Sequence, residues 1–134
     1  MAFTEISVRD AYQLLADDPA AVLVDVRTPQ EWNLVGVPVL DAIGKQVRMA
    51  IWTEYGSGTP NPHFVEQATG GLDPSTPLLF LCRSGVRSQG AATAASAAGF
   101  TTTYNVSEGF EGDLDVNGHR TTGWKHVDLP WRQG

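Results

Sequence analysis

The residues best equipped for chemistry stand together in "LLFLCRSGVRSQG", Leu78 to Gly90. Cys82 is the only cysteine of the chain, and Arg83, Ser84, Gly85, Val86, Arg87 and Ser88 follow it directly. A thiolate is a strong nucleophile, and guanidinium groups beside it favour the charged form. Gly85 permits backbone conformations that other residues avoid, so the stretch from Cys82 to Arg87 can close into a concave loop. Its backbone N–H groups, set ahead of a helix N-terminus, would form an anion site around the sulfur. The same ring would stabilise an anionic substrate or an extra sulfur carried on Cys82. A cysteine behind four large apolar residues is by default a small buried core residue. Two arginines within the next five positions do not suit an apolar core, so a nucleophile is the better interpretation.

Other side chains can support this loop. Arg83 and Arg87 are candidate partners of the thiolate and of an anionic substrate. Arg87, beyond the glycine turn, is expected to point back into the ring, while Arg83 faces substrate or solvent. Ser84 and Ser88 can donate hydroxyl hydrogen bonds to the sulfur or cap the helix, with Ser88 better placed for capping or packing. Asp25 and Arg27 end a neighbouring strand and are expected to brace the loop through hydrogen bonds. Trp52 can rim a pocket or simply pack. The acidic stretch "SEGFEGDLD" reads as a solvated face. His63, His119 and His126 show no ligand spacing, so neither a metal nor a cofactor is expected.

The loop needs elements that hold it. "AVLVDVR" and "PLLFLC" are continuous apolar runs, the pattern of strands buried on both faces of a parallel sheet. "TTTYNV" predicts a third strand, and "FTEIS" and "VGVPVLDA" weaker ones, the latter limited by Pro38. Helices are predicted after Ser7, which can cap with Asp10 three residues on, in "TPQEW", and over "GVRSQGAATAASAAG" up to Gly99. Lys45 to Tyr55 has helical character, "GSGTPNP" is a flexible break, and Asn61-Pro62 looks like an N-cap with proline in the first helical position. The connection over 44–76 is long, as a lid or a partner-docking surface would be. The tail "GWKHVDLPWRQG" is expected to close the domain as a loop.

The alternation of strands and helices predicts one α/β domain over 1–134, built on a mostly parallel sheet. Active sites of such sheets form beyond the carboxyl ends of the strands, where Cys82 falls. A net charge of -6 disfavours nucleic acid as a partner, and no segment is long enough to span a membrane. A lone cysteine and an N-terminus without a secretory pattern make the cytoplasm the expected location.

With these residues in place, the chain resembles the rhodanese-like sulfurtransferases. "CRSGVRS" is similar to that family's active-site loop. "LVDVRTPQEW" resembles its first signature, an Asp-x-Arg at a strand end followed by a Glu and an aromatic residue. "YNVSEGF" and "GWKHVDLPW" resemble its later segments, in the same order. The resemblance implies a five-stranded parallel sheet flanked by helices on both faces. It also implies sulfur transfer, in which an anionic donor such as thiosulfate or a persulfide leaves a sulfane sulfur on Cys82. A nucleophilic acceptor, cyanide or a thiol, then removes it. Three departures lie outside the cysteine loop and bear on the pocket. Gly36-Val37 replaces the family's Gly-His, Gly109-Phe110 replaces a pair of glycines, and the segment from Lys45 to Asp73 is longer than in compact members.

Two other functions compete. Cysteine phosphatases use a comparable cradle, but with one residue more between cysteine and arginine than the four found here, Arg83 to Val86. A persulfide carrier that serves a protein donor or acceptor would show the same loop.

Overall fold

Residues 2–54 and 57–133 are described by the structure, a computed structural model. Strand β1 is Thr4–Ile6, and Ser7 then caps helix α1, Val8–Asp17, its side chain accepting from the Asp10 N–H. The apolar run at 22–26 forms β2, Val22–Asp25. Thr28 and Glu31 close a reciprocal capping box on α2, Pro29–Leu34, with proline at its start. Strand β3, Val37–Pro38, a single 3-10 turn at Asp41–Ile43 and strand β4, Arg48–Met49, follow. Then come α3, Phe64–Thr69, and β5, Leu78–Leu81, which leads through the cysteine loop into α4, Arg87–Ala97. Strand β6, Thr103–Val106, a 3-10 turn at Trp124–His126 and β7, Trp131–Arg132, complete the described chain.

Five strands lie in the order β1-β6-β5-β2-β4, and every neighbouring pair is parallel. β5 is central, and all four of its side chains are buried. On one face Val24, Leu78 and Phe80 meet the alanines of α4 and Phe64 and Ala68 of α3. On the other, Leu23, Leu79 and Leu81 meet Val8, Ala11 and Leu15 of α1 together with Trp124. Each fully buried large apolar side chain contributes roughly 1.5–3 kcal/mol, so the two faces anchor β5 on both sides. The small side chains of Ala91, Ala92 and Ala95 let α4 sit close to the sheet, which fixes where its N-terminus begins.

Three expectations need correction. Residues 45–54 are not helical. β4 pairs with β2 in the register Val24↔Arg48 and Asp25↔Met49, and the ladder continues through Ala50 N–H to Asp25 and Trp52 N–H to Val26. Ala50 and Trp52 face the α3–α4 layer while Met49 is exposed, the alternation of a strand. Tyr55 and Gly56, which fall in the predicted helix end and the predicted break, lie outside the described residues. Asn61-Pro62 does not open α3. Asn61 forms a turn by accepting from His63 N–H, and the helix starts at Phe64. The tail is more than a loop, since β7 pairs antiparallel with β3 through Val37↔Arg132 and Pro38↔Trp131.

Candidate active site

Leu81 is paired with Asp25, so Cys82 leaves the carboxyl end of β5 between β2 and β6. It is 1% exposed. Its sulfur accepts the Gly85 N–H at 3.2 Å and lies 3.1 Å from Ser88 Oγ. Gly85 makes this turn with φ +94°, and a Cβ there would stand 2.1 Å from the Ser107 carbonyl oxygen. Only glycine accepts both conditions. The segment after β6 forms a wall behind the loop. Phe110 N–H donates to the Cys82 carbonyl, and Glu111 and Gly112 N–H groups donate to that of Arg83. The N–H groups of Arg83, Ser84 and Val86 have no acceptor among the described residues, a concave set of donors of the kind that can receive an anion. Helix α4 begins at once beyond them and adds the positive end of its dipole.

Ser88, buried in the first turn of α4, links the sulfur to Asn105. Asn105 carries no signal of its own in the sequence beyond being a polar residue inside "TTTYNV", at a position that neighbours β5. Its buried side-chain oxygen accepts from the Ser88 hydroxyl, while its amide donates to the Gly85 carbonyl at 3.0 Å and to Glu5 at 2.7 Å. Asn105 thereby holds both partners of the sulfur. A Ser88 hydroxyl carries one proton, so donating to Asn105 leaves its oxygen to accept from a Cys82 thiol. Turned toward the sulfur, the same proton would stabilise a thiolate or persulfide.

Of the two arginines, Arg83 faces the cleft and solvent as expected and Arg87 does not sit as expected. Arg87 does not point back into the ring, because both its terminal nitrogens bond Glu31 at 2.8 Å. Burial alone would raise the Glu31 carboxyl. The hydrogen bonds and charge of Arg87, a backbone bond from Thr28 and the Arg27 charge outweigh it and hold the carboxyl below its ordinary value. The Glu31 hydrogen bond in turn holds the Arg87 guanidinium above its ordinary value, against burial. Arg83 has a half-exposed side chain and an ion pair from Nε to Glu111 at 3.2 Å. Ser84 is half-buried, and Val86 faces outward.

Asp25 and Arg27 form a fully buried ion pair at 2.7 Å. The hydrogen bonds of the Arg27 side chain run to Asp25 and to the Gly36 carbonyl, not to the cysteine loop, and its guanidinium stacks 4.3 Å over Phe110. The pair therefore fastens the end of β2 to the α2–β3 turn and the wall behind the loop. One of the departures named above, Phe110, thus packs on this arginine, and another, Val37, follows the Gly36 carbonyl that it binds. "SEGFEGDLD" is only partly a solvated face. Glu108 accepts from Val8 N–H and Glu111 holds Arg83, while Asp113 and Asp115 are exposed. Trp52 packs edge-on against Phe64 and over Gly90.

A cleft of about 500 Å³ opens over the loop, bounded by Thr28, Glu31, Arg83, Arg87 and Glu111, with Glu54 from the long connection as part of its wall. Cys82 is buried and does not line this cleft, whereas Arg83 and Arg87 of its loop do. A second cleft, of about 450 Å³ beside β3 and Lys45, is lined by no residue of the cysteine loop and by none of Asp25, Arg27, Glu31, Asn105 and Glu111.

Several known proteins are similar to this chain in sequence or fold. A family model described as the STR4 middle domain matches residues 3–134. The crystal structure of Rv0390 from M. tuberculosis is 48% identical and superposes with a TM-score of 0.89, covering 98% of each chain. The polysulfide-sulfur transferase homodimer of Wolinella succinogenes is 25% identical with a TM-score of 0.63, over 98% of this chain and 79% of that one. The chain is 30% identical to rhodanese-like domain-containing protein 4 of Arabidopsis thaliana chloroplasts, over 93% of its own length and 25% of that protein. It is 29% identical to the thiosulfate sulfurtransferase GlpE of Tolumonas auensis, over 93% of this chain and 91% of the relative.

Proposed function

Because this chain belongs to the rhodanese-like family, we propose that it is a sulfurtransferase that carries a sulfane sulfur on Cys82. The observation that carries this is the loop itself. The sulfur of the sole cysteine accepts the Gly85 N–H and sits against Ser88, in a turn that leaves three further N–H groups without an acceptor among the described residues.

In the first step the Cys82 thiolate attacks the outer sulfur of a donor. With thiosulfate, the sulfur–sulfur bond of the donor breaks, sulfite leaves with the bonding pair, and Cys82 becomes a persulfide. The negative charge that the outer sulfur carries in the persulfide falls among the loop N–H groups and the N-terminus of α4, which need no rearrangement to receive it. In the second step an acceptor attacks that outer sulfur. Cyanide takes it as thiocyanate, or a thiolate takes it as a new persulfide, and the Cys82 thiolate returns. Ser88 can follow this cycle by turning its proton between Asn105 and the sulfur. Thiosulfate and polysulfide are suggested as donors by the names of two relatives.

A loop of four residues between Cys82 and Arg87 is tight for a tetrahedral phosphate, which speaks against phosphatase chemistry. The test is steady-state formation of thiocyanate from thiosulfate, glutathione persulfide or polysulfide with cyanide, beside hydrolysis of an aryl phosphate. Thiocyanate that depends on Cys82 is expected, with no phosphate released. Phosphate release without thiocyanate would reverse the assignment.

A further inference from the structure

Both arginines of the cysteine loop are already matched to carboxylates. Arg87 makes two bonds of 2.8 Å to Glu31, and Arg83 pairs with Glu111 at 3.2 Å. Glu54 is a third carboxylate on the same cleft, so its walls carry three acids against two guanidinium groups. The chain as a whole has a net charge of -6. A small dianion entering here meets guanidinium groups whose charge is already balanced by carboxylates, with a further carboxylate beside them. An uncharged or cationic group beside the reacting sulfur meets no such opposition.

We propose that Glu111 and Glu31 determine specificity by engaging Arg83 and Arg87, so that the site exchanges sulfur with compounds uncharged or cationic beside the sulfur in preference to anionic ones. This rests on the sulfurtransferase reading and refines it. The arginines then act as posts that hold an acidic rim in place, rather than as receptors for the anionic donor. Like charges placed together at a binding surface are a means of rejecting the wrong partner. Exposed ion pairs are individually weak, so the effect comes from the summed field of the rim over the cleft.

Glu111→Gln is the cleaner variant, because Glu31 also caps α2. Two readouts are taken on wild type and variant. One is kcat/KM for thiosulfate with cyanide as acceptor. The other starts from protein loaded with sulfur and compares its discharge by cysteamine, a cationic thiol, with that by 3-mercaptopropionate, an anionic one. Because the ratio of the two rates is compared between proteins, the intrinsic reactivities of the thiols cancel. Glu111→Gln should raise kcat/KM for thiosulfate about fivefold and lower the cysteamine preference by a similar factor, the size expected for one partly screened charge. The double variant with Glu31→Gln should go further in both. An unchanged ratio and an unchanged kcat/KM, in a protein whose melting temperature is preserved, would overturn the specificity proposal while leaving sulfur transfer intact. If neither protein takes up sulfur from any donor, the sulfurtransferase reading and this proposal fall together.

Discussion

Replacing Gly85 by alanine tests whether the loop geometry is what holds the sulfur ready. The residue has φ +94°, and its new Cβ would lie 2.1 Å from the backbone oxygen of Ser107, which no rotamer change can move away. The left-handed backbone alone costs an L-residue about 1–2 kcal/mol. Relieving the clash requires the turn to retreat from β6, which gives up the Asn105 bond to the Gly85 carbonyl at 3.0 Å and the Gly85 bond to Cys82 at 3.2 Å. At about 1 kcal/mol for each bond, the total is roughly 3–4 kcal/mol, or a fall in melting temperature on the order of 10 °C. Gly99 supplies the control. Its φ is +105°, and a methyl group added there would have nothing within 4 Å, so Gly99→Ala meets the backbone penalty without the clash. Thermal melting should rank wild type above Gly99→Ala and Gly99→Ala above Gly85→Ala. Sulfur loading, followed by intact mass, should stay near wild type in Gly99→Ala and slow by about a hundredfold in Gly85→Ala, the scale of misplacing a reacting group by about an ångström. Equal melting temperatures for the two variants, or wild-type loading in Gly85→Ala, would refute the reasoning.

Asn105→Ala should destabilise the fold by about 2–4 kcal/mol, because the Ser88 hydroxyl and the Gly85 carbonyl each lose a buried partner. Denaturant titration measures this, and slower sulfur loading in the folded protein would separate positioning from stability. Glu31→Gln should cost about 1–2 kcal/mol near neutral pH, since the partly buried charge-assisted pair with Arg87 is lost while the amide can still cap α2. The Glu31 carboxyl is held below its ordinary value of 4.5 in the fold, so its contribution is complete above that pH and disappears as the pH falls through the lowered value. Melting temperatures of wild type and variant should therefore converge in acid, and a difference that grows on acidification would contradict the pairing.

The anchoring strands are legible in the sequence because β2 and β5 are uninterrupted apolar runs, and the cysteine loop is legible because its chemistry is contiguous. β4 is hidden because only two residues pair with β2, and Arg48 and Met49 have the look of a helix surface. Its alternation shows only when Ala50 and Trp52 are known to face α3 and α4. The position of Arg87 cannot be read from its neighbours, since the carboxylate that claims it lies 56 residues earlier. Asn105 becomes informative only once β6 is known to lie beside β5. The Asp25–Arg27 pair is recognisable, but its destination is not, because the Gly36 carbonyl and the Phe110 ring reach it only through the folded turns around β3 and β6.

The central claim is that the Cys82 sulfur carries another sulfur atom during turnover. Intact mass spectrometry of wild type and Cys82→Ser after incubation with thiosulfate, glutathione persulfide or polysulfide tests it directly. Wild type should gain the mass of one sulfur atom with at least one donor and lose it again on addition of cyanide, while Cys82→Ser stays unchanged. An unmodified wild type under all three donors, or equal sulfur uptake by Cys82→Ser, would contradict the account.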